Sequence, residues 1–354
     1  PLKLAPLAPL AARLLTDAAY LRAMFSTAWL GFPVAGVALG VLAVVETHGY
    51  PVPPPFWVLI AMLVVGALDA ASGFLGAMTY ALGTLAMGGI GSLSDARTVL
   101  GLCALWFAVA PIAAAARPFR RPFGDRLQPR DIWDRLGDVV ISALLGAWAA
   151  EKIVGGLPAL AGTAIPVASR AQDVAIATLC LIAIRFALET GCAVYFPRRL
   201  ATVAPPKVPW PGNRQRYASL AMRTGMYVFV VIAYMPESWQ LWVGVVLYVV
   251  PQVLKMYENS FPNYEKLYLV IPGGITKTVL FLFVGRWYFE IFQHQVAPAD
   301  LLKYGFVFLG LPSLALSLLE LIGRDGPPKE QTWYHQLAGL GLLVIGVLFV
   351  FGQI

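Results

Sequence analysis

The sequence predicts an all-α polytopic integral membrane protein of about ten transmembrane helices. Three observations carry that reading. The 354 residues are 59% hydrophobic and only 13% charged, with a mean hydropathy of +0.72. A soluble domain carries about 25% charged residues. Apolar runs of about 20 residues recur along the chain, each long enough to cross a hydrocarbon core about 30 Å thick. The polar stretches between them are too short to bury a core of their own.

Residues 1–25 form an amphipathic segment expected to lie in the membrane interface, with a lead-in to the first span as the alternative, ahead of a single transmembrane domain at 26–354. Leu7, Leu10, Leu14, Ala18, Leu21 and Phe25 make its apolar stripe, with Arg13 and Asp17 paired on the polar side. The first span is Ser26–Val45, closed by a loop with Pro51, Pro53, Pro54 and Pro55. The second apolar segment, Phe56–Ile90, has one face of small residues. At steps of three and four it reads Gly66, Asp69, Gly73, Gly76, Tyr80, Gly83 and Met87. Gly66, Gly73, Gly76 and Gly83 are expected to let neighbouring helices approach to backbone contact. As one helix the segment would reach roughly 52 Å, too long for one upright crossing. It must tilt, project, or break, with Gly88-Gly89-Ile90-Gly91 as the expected place.

Further spans are expected at Val99–Ala116, Gly137–Gly156, Asp173–Phe196, Leu220–Met235, Trp239–Lys255, Leu267–Phe292, Leu301–Ile322 and Trp333–Ile354. Two basic loops separate some of them. Residues 117–136 hold Arg117, Arg120, Arg121, Arg126, Arg130 and Arg135; residues 196–223 hold Arg198, Arg199, Lys207, Arg214, Arg216 and Arg223. With ten crossings both loops fall on one side, which the positive-inside rule makes the cytoplasmic side of the cell membrane, with both termini outside. The chain's charge of +7 is thereby read as orientation, and nucleic acid is not an expected partner. Ten crossings also permit two five-helix halves in inverted orientation. Arg185-Phe186 with Glu189, echoed by Arg286-Trp287 with Glu290, is the faint repeat that would go with it.

Intramembrane charge is costly, about 2.5–3.5 kcal/mol per central residue on insertion scales, so each such residue is a candidate for function and needs a partner. Six stand out: Asp69, Arg185, Glu189, Lys277, Arg286 and Glu290. Arg185 with Glu189 and Arg286 with Glu290 are spaced to pair on one helix face, which leaves Asp69 and Lys277 as the expected couple between helices. Tyr80 shares the face of Asp69. Thr276 and Lys277 follow Pro272-Gly273-Gly274, a helix-breaking run that would expose backbone groups near the midplane.

The chain lacks a phosphate-cradling Gly-rich loop ending in Lys-Ser/Thr, a Gly-x-Ser-x-Gly elbow and an Asp-rich metal-diphosphate loop. Its three histidines are scattered singly, and Cys103, Cys180 and Cys192 lie in apolar spans. No cofactor or metal is expected. The leading functional expectation is a transport protein or channel for a small ion or solute, with a path lined by Asp69. The alternative is a non-catalytic scaffold subunit that docks a protein through the basic loops; a homo-oligomer is the other expected assembly. An enzyme acting on lipid-linked substrates comes third.

Overall fold

The computed structural model describes residues 17–115, 129–203, 212–235, 237–265, 286, 289–290, 293–298 and 300–324. All regular structure among them is helical. The chain divides into two compact units, residues 1–211 and 212–354.

In the first unit, α1 (Ala19–Phe25) leads through a 3-10 turn, Ser26–Leu30, into α2 (Gly31–Glu46). Thr47 ends α2, its hydroxyl donating to the Ala43 carbonyl at 2.8 Å, and Gly49 turns the chain with φ +75°. The segment expected to be one long helix is two, α3 (Phe56–Leu68) and α4 (Ala70–Ala86), interrupted at Asp69. The glycine cluster also acts, at the far end. Gly88 takes φ +74° and the Gly89 amide donates back to the Thr84 carbonyl, a closure that stops α4.

A new helix, α5 (Leu93–Ala115), starts at a reciprocal cap: the Asp95 amide donates to Ser92 Oγ and the Ser92 amide to Asp95 Oδ2. Then come α6 (Pro129–Ala161), α7 (Ala171–Tyr195) and the short α8 (Pro197–Val203). Parts of both basic loops are therefore helical, since α6 begins at Pro129 and α8 follows Phe196. Within the unit α2 packs mainly on α4 and α6 mainly on α7, with α3 set among α2, α4, α5 and α7.

Glycines fix the closest approaches. A Cβ on Gly36 of α2 would lie 2.4 Å from the Ser72 carbonyl oxygen, and one on Gly76 of α4 would lie 2.8 Å from that of Gly36. On another side of the stripe, Cβ atoms on Gly66 and Gly73 would meet the Trp106 carbonyl oxygen at 2.0 and 2.9 Å. Gly83 is filled in the same way by the Val44 side chain. The glycine face thus serves two neighbours: Gly66 of α3 and Gly73 of α4 meet α5, and Gly76 and Gly83 of α4 meet α2.

The second unit holds α9 (Asn213–Val231), α10 (Trp239–Met256) and α11 (Leu301–Ile322), with α10 packed on both others. Tyr227 stacks on Tyr248 at 5.0 Å, and Trp239 meets Tyr304 edge-on. The polar hinge after α10 is clasped by Arg324, whose guanidinium donates to the carbonyls of Glu258 and Phe261.

Four described helical stretches are long and apolar enough to cross a membrane: Ala19–Glu46, Ser142–Ala161, Pro166–Tyr195 and Trp239–Met256. Large apolar side chains such as Val34, Val41 and Val45 on α2 and Leu82 and Leu85 on α4 are exposed, as lipid-facing residues are. Among the described residues the fold is all-helical, with the apolar spans of a membrane protein.

Candidate functional site

The site is built around one residue in extended conformation. Asp69 sits between α3 and α4 with φ −138° and ψ 108°. In a continuous helix the amides of Ala70, Ala71 and Ser72 would donate to the carbonyls of Gly66, Ala67 and Leu68. The interruption releases those groups inside an apolar unit, where an unmet backbone group costs several kcal/mol.

The sequence supplies partners from three places. Asp69 caps the new helix itself: Oδ1 accepts from the Ala71 amide at 3.1 Å and Oδ2 from the Ser72 hydroxyl at 2.5 Å. Asp17, just before α1, takes the Ala70 amide on Oδ2 at 3.4 Å. Arg185 of α7 donates from Nη1 to the Ala67 carbonyl at 2.9 Å, and the Tyr20 hydroxyl donates to the Leu68 carbonyl at 2.6 Å. The polarity agrees with the helix dipoles. A cation meets the carbonyl end of α3 and carboxylates meet the amide end of α4.

The same guanidinium joins these groups to one another. Arg185 Nη2 holds both carboxylate oxygens of Asp17, at 2.8 and 2.9 Å, and Nε holds Glu189 at 3.0 Å. Its side chain is fully buried, while those of Asp17 and Glu189 are 6% and 10% exposed. The Tyr20 ring packs 5.9 Å from the guanidinium carbon. One cation and two carboxylates leave this trio with a formal charge of −1, close to a third carboxylate, Asp69, and to the Arg22 guanidinium of α1, which interacts with Asp69.

The structure thus brings Asp69, Arg185 and Glu189 into one neighbourhood and adds Asp17 and Tyr20 from the segment expected to lie in the membrane interface. Arg13, read as the partner of Asp17, lies outside the described residues. Asp69 is fully buried and its carboxylate is engaged by its own helix start. Lys277, its expected couple, and Thr276 lie outside the described residues with the Pro272-Gly273-Gly274 run. Tyr80 belongs elsewhere: its hydroxyl donates to the Val52 carbonyl at 2.9 Å and its ring meets Trp106 edge-on, pinning the proline-rich loop. Arg286 and Glu290, in the second unit, pair at 3.8 Å with side chains 34% and 53% exposed. Among the described residues no three His, Cys, Asp or Glu side chains gather as a metal set.

This chain matches no family model, no curated protein and no solved structure. What is argued about its function rests on the geometry of the interruption.

Proposed function

We propose that the chain is a membrane transport protein or channel for a small ion or solute, with the interrupted pair α3–α4 as its working element. One observation carries the reading. A 13-residue and a 17-residue apolar helix meet end to end at a charged residue. At about 1.5 Å per residue they reach about 20 and 26 Å, so neither crosses a 30 Å core alone. Transporters commonly place such half-helices where ions and solutes bind, because their ends present directed backbone charge. The polar groups gathered there are Asp17, Asp69, Arg185 and Glu189. Asp69 acts as the cap that creates the interruption, and Glu189 is the carboxylate nearest an edge of the site.

Ten crossings in the cell membrane, with both termini outside, remain part of the proposal. The division into units after residue 211 falls between the fifth and sixth of those spans, as a plan of two five-helix halves requires. Lys277, Thr276 and the pair Arg286–Glu290 are assigned by this reading to the second half of the path.

The scaffold reading is favoured by a different observation: Asp69 and Arg185 are both fully buried and engaged by protein groups. Ion flux into proteoliposomes decides between them. Asp69→Asn keeps a capping oxygen and Glu189→Gln keeps a hydrogen-bonding side chain, so both should fold. Loss of flux in either variant, with the melting profile unchanged, supports transport. Wild-type vesicles that pass neither protons, alkali cations nor small organic anions would overturn it and leave the scaffold.

A further inference from the structure

We propose that α1 is a removable clamp on the interruption, latched by the Asp17–Arg185 pair and hinged at Ser26–Leu30. The proposal stands apart from transport, since a scaffold subunit could carry the same latch. Three features lead to it. First, Asp17 and Tyr20 reach from one short element to both ends of the interruption, to the Ala70 amide and the Leu68 carbonyl. Residues 17–25, α1 with the two residues before it, therefore control whether those two backbone groups are covered.

Second, Asp17 is the dispensable partner of Arg185. Glu189 lies on α7 itself, one turn away, and holds Nε at 3.0 Å. When Asp17 leaves, an internally neutral Arg185–Glu189 pair remains, so withdrawal does not strand a bare buried charge. Insertion of Asp17 instead takes the trio to a net charge of −1. The latch is closed by hydrogen-bond geometry, a two-oxygen grip by one guanidinium.

Third, α1 has a built hinge. Ser26 takes φ +51°, a left-handed conformation in a residue with a side chain. The 3-10 turn that follows contains no buried residue, and Phe25 and Leu30 on its flanks are 47% and 58% exposed. Two contacts bridge the turn, Trp29 beneath the Arg22 guanidinium at 4.1 Å and Phe25 against Phe32 at 6.5 Å, so α1 must shed them when it lifts, along with the packing of Tyr20, Leu21 and Ala23 against Cys192.

Cys192 supplies the test. It is fully buried beneath α1, its thiol donating to the Tyr20 carbonyl at 3.5 Å. In a Cys103→Ala/Cys180→Ala background it is the sole thiol of the 354 residues, and its maleimide labelling in nanodiscs reports lifting of α1. Labelling should be slow in that background. Asp17→Asn should speed it about tenfold or more, with helical content and melting temperature retained. Tyr20→Phe, which removes only the hydroxyl bond to Leu68, should speed it by a smaller factor and guards against misfolding of the first variant. Equal labelling rates in all three proteins would overturn the clamp. So would labelling that appears only at the temperature of global unfolding.

Discussion

Arg185 on α7 grips both carboxylate oxygens of Asp17, a residue 168 positions earlier, at 2.8 and 2.9 Å. The guanidinium has no exposed side-chain surface, so it stands in the low-dielectric interior, where removing it costs far more than breaking a surface pair would, whereas Glu189 stays with it when Asp17 leaves.

Arg185→Gln should therefore destabilise the protein by about 3–5 kcal/mol, because two buried carboxylates and the Ala67 carbonyl lose their donor. Denaturant unfolding in detergent, followed by tryptophan fluorescence, measures it. Adding Asp17→Asn and Glu189→Gln to Arg185→Gln should recover a large part of the loss, since no unmatched charge then remains.

Ser72→Ala should cost about 1 kcal/mol, the usual worth of one hydrogen bond to a charged cap. Asp69→Ala should cost more, as it leaves the Ala71 amide and Ser72 hydroxyl without their acceptor. Asp69→Asn should fall below both. Thermal melts of the three variants give the order; Asp69→Asn as the most damaging of them would contradict the capping role.

At the α2–α4 contact, Gly36→Ala should cost about 1–3 kcal/mol, because the new methyl must push back the Ser72 carbonyl. Gly31→Ala is the contrast. No atom lies within 4 Å of the position a Cβ would take, and the residue is helical, so this variant should be neutral or slightly stabilising. Melting temperatures of the two variants against wild type check the pair.

In the second unit, Arg324→Ala should loosen the segment 257–265, whose Glu258 and Phe261 carbonyls accept from the Arg324 guanidinium, while the bond from the Arg324 backbone amide to the Asn263 side chain is kept. Amide exchange at the hinge should quicken while exchange in α10 stays slow. Arg324→Lys should not restore it, because an ammonium lacks the planar fork that spans two carbonyls.

The membrane class was legible from composition because lipid as solvent leaves its mark on every span. The starts and stops of α10 and α11 were legible too, with Trp239 and Leu301 opening both the expected and the observed elements. The pair Arg185–Glu189 followed from helical spacing alone. The interruption at Asp69 did not. A continuous apolar run from Phe56 onward looks like one helix, and the glycine cluster at Gly88 drew the expected break to the far end. The local signal was Asp69-Ala70-Ala71-Ser72, an N-cap pattern inside an apolar segment, which outweighs helix propensity once tertiary partners meet the freed groups. Those partners, Asp17 and Tyr20, lie some 50 residues away by chain, and no periodicity announces such contacts.

The interruption also imposes an order of assembly. Asp17 and Tyr20 are synthesised before α3 and α4, but the Ala67 carbonyl waits for Arg185, 118 positions downstream. At 5–20 residues per second that wait is about 6–24 s, during which Asp17 also lacks its guanidinium. The nascent chain must hold a half-finished joint through the synthesis of α5 and α6. An insertion machinery that shelters polar groups from lipid over that interval is thus as much a requirement of this fold as the side chains that finally close it.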